Sequence, residues 1–146
     1  MNYIKKYFLF IFGCFISLNV FAVVGENIAQ DLGVLSNQGS VVKKDVKQVG
    51  GASSYKVVSY VENDVLITQY VLSSGIVFGA TWSGPSKPNL VELLGKFSPV
   101  LNQPNGGKGL ATMTDNNIEV ISNRSGRVYS GSAFVKNLMP IGFTLN

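Results

Sequence analysis

The sequence predicts an α+β fold: a mainly antiparallel β-sheet of five to six short strands in hairpins, with one short amphipathic helix at about 89–97 packed on it. Three observations predict it. From Tyr55 onward, runs rich in β-branched and aromatic residues follow one another. The gaps between them are short and hold Asn, Asp, Ser and Gly, the residues that turn a chain. One stretch, "NLVELLGKF" (89–97), departs from this pattern and places Leu90, Leu93, Leu94 and Phe97 at helical spacing.

The elements follow in chain order. Residues 23–50 are polar, with a short helix expected at "ENIAQDL" (26–32), where Ile28, Ala29 and Leu32 share a face. "VKKDVK" (42–47) reads as a solvated loop or an edge strand, because lysines discourage further pairing at a sheet edge. "GGASS" (50–54) is a loop. "YKVVSYV" (55–61), "VLITQYVL" (65–72) and "IVFGATW" (76–82) are strands, joined by "END" (62–64) and "SSG" (73–75). On the third strand, strict alternation puts Ile76, Phe78, Ala80 and Trp82 on the core face, with Val77, Gly79 and Thr81 opposite. Gly79 marks a bulge or the close approach of a neighbour.

"SGPSKP" (83–88) stops the sheet, since Pro85 and Pro88 cannot donate to a ladder. Asn89 caps the helix with Glu92 three residues on, a capping-box spacing. Pro99 limits the helix, and "NQPNGGKG" (102–109) is a loop. "LATMT" (110–114), "NIEVIS" (117–122) and "RVYSGSAFV" (127–135) are three more strands, turned at "DN" (115–116) and "NRSG" (123–126). The tail "KNLMPIGFTLN" (136–146) is apolar enough to dock on the domain.

The first 22 residues read as a signal peptide: Lys5 and Lys6, the apolar run "YFLFIFGCFISLNV" (7–20), then "VFA" (20–22). Residues 23–146 are then a single small exported α+β domain, expected in the periplasm. An uncleaved anchor or lipidation at Cys14 are the competing readings, and both also place the domain outside the cytoplasm. The net charge of +4 halves once Lys5 and Lys6 are set aside, so charge gives no argument for nucleic acid. The single Cys lies in the leader, so no disulfide staples the domain and its core alone must hold it.

Composition excludes several chemistries. The chain has no His, which removes Ser-His-Asp triads and most zinc and copper sites. No thiol remains after Cys14 for redox work. "SSYK" (53–56) has Ser-x-x-Lys spacing, but it enters a strand where the penicillin-binding enzymes need a helix. "GGKG" (106–109) lacks the first Gly and the Ser/Thr of a phosphate loop. "DNNIE" (115–119) has too few ligands for calcium. No cofactor or metal is expected. Glu62 with Asp64, and Asp115 with Glu119, are the carboxylates that acid–base catalysis would have to use.

"QYVLSSGIVFGATWSGPSKPNLVELLGKF" (69–97) and the ending "LMPIGF" (138–143) resemble a family of exported bacterial proteins catalogued as domain of unknown function 2844. The resemblance implies export, small size and a single domain, and supplies no catalytic or binding residue.

The function expected on this reading is a non-catalytic binding or accessory module of the cell envelope. Its partner would be an envelope protein, a peptide or a glycan, with no nucleic acid, and it would meet the membrane only through the N-terminal segment, if that segment is uncleaved. Strand 55–61 or 127–135 could offer an edge for β-augmentation. Trp82, the only tryptophan, either covers the sheet end against Leu90 and Leu94 or joins Tyr60, Tyr70 and Tyr129 in an exposed binding patch. A carboxylate-dependent enzyme acting on envelope polysaccharide and a structural subunit of an envelope assembly are the alternatives.

Overall fold

A computed structural model describes residues 23–27, 41–49, 53–103 and 109–145, with backbone alone for 41–49 and 53. Its centre is one seven-stranded antiparallel sheet. The strands are β1 (Val41–Val49), β2 (Ser53–Glu62), β3 (Val65–Leu72), β4 (Val77–Gly84), β5 (Leu110–Thr114), β6 (Ile118–Ser125) and β7 (Val128–Val135). Their spatial order is β1-β2-β3-β4-β7-β6-β5. Two meanders, β1–β4 and β5–β7, therefore meet at a seam between β4 and β7.

The expected hairpins are present, and their chemistry explains them. Asn63 and Asp64 both take positive φ, 48° and 65°, the left-handed pair that a tight hairpin needs. Asp115 Oδ1 accepts from the backbone N–H of Asn117 and Ile118 at 2.7 and 2.8 Å, which folds the chain back between β5 and β6. β6 runs further than expected, so its turn contracts to Gly126 and Arg127.

β1 is a seventh strand beyond the five to six expected. It lies in the segment read as polar, and "VKKDVK" forms its middle, on the sheet edge. Pairing with β2 alone does not demand a clean alternation of apolar residues, so the pattern was weak. The edge itself falls elsewhere than expected: 55–61 and 127–135 belong to β2 and β7, each paired on both sides, and the two edge strands are β1 and β5. In "ENIAQDL" (26–32), Glu26 and Asn27 form a bend and a bridge to Ile76 instead of a helix turn, and 28–32 lie outside the described residues.

One face of the sheet is covered. Helix α1 (Leu90–Leu94) runs into a 3-10 helix, Gly95–Asn102, shortening the α-helical part expected over 89–97. Gly95, with φ 49°, ends the α-helix. Asn89 caps it: Oδ1 accepts from the Glu92 N–H at 3.4 Å, and Nδ2 donates to the Glu92 carboxylate at 2.9 Å. Leu90, Leu93, Leu94 and Val100 are buried in one cluster with Val58, Tyr60, Ile67, Ala80, Trp82, Ile118, Val120 and Ala133. The segment Val23–Asn27 closes the same layer. Val24 is wholly buried, its N–H bonded to Leu93 O at 3.0 Å, while Gly25 N–H and Glu26 O bond to Val77 at 2.7 and 3.0 Å.

β4 corrects the face assignment. Tyr70 pairs with Gly79 but Val71 pairs with Val77, so Phe78 is the extra residue of a β-bulge. Val77, Ala80 and Trp82 thus join the helix-covered core, and Phe78 turns to the opposite face. The glycine signal at 79 was sound, since the bulge sits there and a Cβ on Gly79 would fall 2.0 Å from the Phe134 ring.

The seam is tight on both faces. Gly79 faces Phe134, and Trp82 faces Gly131. A Cβ on Gly131 would lie 2.4 Å from Trp82 Cζ2 and 2.3 Å from the Ile121 carbonyl oxygen. Gly131→Ala is expected to cost about 1–3 kcal/mol through overpacking, and Trp82→Ala about 3–5 kcal/mol through the lost core contact. Urea unfolding curves check both, and an unchanged midpoint for Gly131→Ala would mean that the seam has slack.

Candidate functional site

The face away from α1 has no helical layer among the described residues. Alternation from the paired register assigns it Ser59, Val61, Leu66, Thr68, Tyr70, Thr81, Ser83, Ile121, Val128, Ser130, Ser132 and Phe134. Among the described side chains, every exposed large aliphatic residue of a strand falls on this face: Val61, Leu66, Leu110, Ile121 and Val128. Hydroxyls lie between them, and Ser59 and Thr68 bond across the strands at 2.9 Å. This outer face mixes apolar and hydroxyl side chains, with Glu119 and Asn123 also on it.

At one end of it stands an aromatic cluster. Phe78 is fully buried there. Tyr55 meets it edge-on at 5.7 Å, and Tyr70 and Phe134 lie at 6.0 and 6.4 Å. The lid on these rings comes from the tail, as the expected docking of 136–146 implies. Lys136–Leu138 form a 3-10 turn, and Leu138 packs on the main core. Pro140 O then accepts from Phe143 N–H at 3.0 Å, with Gly142 at φ 82°, a turn that needs glycine at its third position. Phe143 drops onto the cluster, with centroid distances of 5.1 Å to Phe78, 5.3 Å to Phe134, and 5.5 Å to Tyr55 and to Tyr70.

Two open grooves flank the tail and share Leu145. One, of about 280 Å³, runs past Ile121, Ser132, Phe134 and Met139. The other, of about 290 Å³, runs past Leu66, Thr68, Tyr70, Thr81 and Ser130. A peptide side chain or a short segment fits such a volume.

The four aromatics singled out in the sequence are not brought together. Trp82 and Tyr60 lie under the helix, 3 % and 4 % exposed. Tyr70 is half-buried on the outer face, within the aromatic cluster. Tyr129 lies at the far end of β7, with the Arg124 guanidinium 5.2 Å from its ring centre. Phe78, Phe134 and Phe143 are the residues that sequence reasoning missed. The glycine at 79 was the available signal for the first two, since a glycine inside a strand marks the approach of a bulky neighbour.

The carboxylates are dispersed too. Glu119 shares its cross-strand row with Phe134, Gly79, Tyr70 and Val57. Val57 is about five residues along β2 from Glu62, or about 17 Å. Asp115 is engaged in its turn. Two carboxylates do meet at Glu62 and Glu92, beside Tyr60 and Asn89, but the cavity between them is about 10 Å³, room for a water and not for a sugar ring. Burial, reinforced by the Glu92 charge, raises the Glu62 carboxyl above its ordinary range. Burial, with Glu62 and Glu92 adding to it, also raises the Tyr60 phenol. Tyr60 Oη instead accepts from Gln69 Nε2 at 3.4 Å inside the core. Among the described residues, no group of three His, Cys, Asp or Glu side chains could hold a metal ion. No described helix is long and apolar enough to cross a membrane.

A raised folded-state pKa means that ionised Glu62 opposes folding at neutral pH, and that this cost is relieved as pH falls through that pKa. Glu62→Gln should therefore raise the thermal midpoint at pH 7 by a small amount, under about 1 kcal/mol for a half-exposed charge. The advantage over wild type should shrink toward pH 4. Melting curves at several pH values check the sign, and a gain that grows on acidification would contradict it.

A family model described as "Protein of unknown function (DUF2844)" matches residues 22–146. No curated protein and no solved structure matches the chain.

Proposed function

The chain belongs to the DUF2844 family, and we propose that it is a non-catalytic binding module of the cell envelope, exported to the periplasm, with the outer sheet face as its recognition surface. The partner we propose is an apolar peptide segment of an envelope protein that carries an aromatic anchor. One observation carries this reading: the exposed large aliphatic side chains described on the strands share a single face, and two of them, Leu66 and Ile121, line grooves beside an aromatic site that an apolar peptide, the chain's own tail, already occupies. Leu66 lines one groove beside the aromatic site and Ile121 the other, and apolar side chains gathered at a groove mark a contact surface. The ligand chemistry follows from the lining. Aromatic rings take an aromatic side chain, the grooves beside them take aliphatic ones, and the Ser and Thr hydroxyls are placed to bond an extended backbone. The leader-like segment 1–22 supports the exported setting.

The test is capture from envelope extract with the full chain, run beside a Leu66→Asp, Ile121→Asp double variant. Both residues are exposed on the outer face, so the variant should keep the wild-type melting curve. A defined partner retained by wild type and lost by the double variant is expected. A partner retained equally by both, or capture by neither, would remove the outer face as the recognition surface.

A further inference from the structure

The C-terminal tail sits on the outer face in the manner of a ligand. It is outside every strand, and its turn is closed by a bond internal to it, from Phe143 N–H to Pro140 O. Past Leu138, its large aliphatic side chains are exposed: Met139 39 %, Ile141 94 % and Leu145 51 %. What ties it to the sheet is the Phe143 ring, set among Tyr55, Tyr70, Phe78 and Phe134 at 5.1–5.5 Å. A segment that belongs to the core buries most of its apolar side chains. Past Leu138, this one sets a single half-buried ring among the aromatics and leaves the aliphatic side chains on either side of it exposed.

Resting on the outer face as the recognition surface, we propose that Pro140–Leu145 is an intrinsic plug: Phe143 fills the aromatic site of the free protein, and an incoming peptide binds by putting its own aromatic side chain where Phe143 was. The partner is thereby specified further, as a segment with a phenylalanine-like ring flanked by aliphatic residues. Three features of the fold fit exchange. The tail contributes no strand to the sheet, so its release breaks no ladder. The grooves on its two sides continue from the aromatic site, so a longer segment than the tail gains contacts that the tail does not make. The tail is rooted by Leu138 in the main core, so release of Phe143 leaves the rest of the domain packed.

A tethered plug competes at a high effective concentration, so a free peptide should bind the wild type weakly and a plug-deficient chain well. The probe is a fluorescein-labelled peptide of residues 136–145, read by fluorescence anisotropy against the full chain. Phe143→Ala should bind it about ten-fold or more tightly than wild type does. The same peptide carrying Phe143→Ala should not bind. Gly142→Val is the second variant: it breaks a turn that requires positive φ while leaving Phe143 and the site intact, and it too should increase peptide binding. Folded variants that bind the peptide no better than wild type overturn the plug. So does loss of cooperative unfolding in both variants, since the tail would then be core. If Phe143→Ala alone fails to fold, Gly142→Val decides. Envelope capture separates this inference from the reading beneath it. Peptide exchange with no captured partner keeps the plug and removes the recognition role, while a partner that binds the outer face with no gain in either variant does the reverse.

Discussion

The fold depends on a reciprocal exchange between two neighbouring strands. β4 carries "GATW" (79–82) and β7 carries "GSAF" (131–134), running antiparallel. Each strand offers a glycine where the other offers an aromatic ring: Trp82 lies over Gly131 on the helix-covered face, and Phe134 lies over Gly79 on the outer face. An aromatic laid across a bare backbone regains the contact area that a strand glycine gives up. The arrangement also welds the two meanders, because β4 and β7 are the strands through which they meet. Without that seam, neither meander could share the helix layer above or the aromatic cluster below.

The two faces follow from the seam and take different roles. Above it, Leu90, Leu93 and Leu94 close a core in which buried Gln69 donates from Nε2 to Tyr60 Oη across β2 and β3. Below it, the bulge at Phe78 puts a large ring on what alternation would have made the wrong side, and Phe134 and Phe143 gather round it. The result is one main core under a helix and a second, smaller aromatic core under a tail.

Much of the fold was legible because local chemistry decides it. β3 and β5 begin and end where their apolar runs do, since turn residues bracket them. Asn89 and Glu92 announced the helix start, whereas its early end at Gly95 came before the Pro99 that was expected to limit it. The site was less legible, for a physical reason. A face is known from sequence only while alternation is unbroken, and one inserted residue reverses it. Gly79 announced an irregularity but not which neighbour would flip, so Phe78 was assigned to the wrong side. Trp82 drew attention by its size, yet size is what takes it under the helix. The tail looked apolar enough to dock, but nothing in "LMPIGF" says that Leu138 goes to one face of the sheet and Phe143 to the other.

The strand order also bears on how the chain reaches this state. Pairings within β1–β4 and within β5–β7 join strands that follow one another along the chain, so each meander can form from local contacts. The β4–β7 seam joins Gly79 to Phe134, roughly 55 residues apart along the chain. Closing that loop costs entropy before any contact across it is gained, and non-local pairing of this kind slows folding. The rate-limiting event should be the docking of two preformed hairpin stacks, with glycines and rings already in register. Until it occurs, both stacks carry an unpaired strand edge at the place where they will join, and the half-folded chain is then at its most vulnerable to pairing with another molecule.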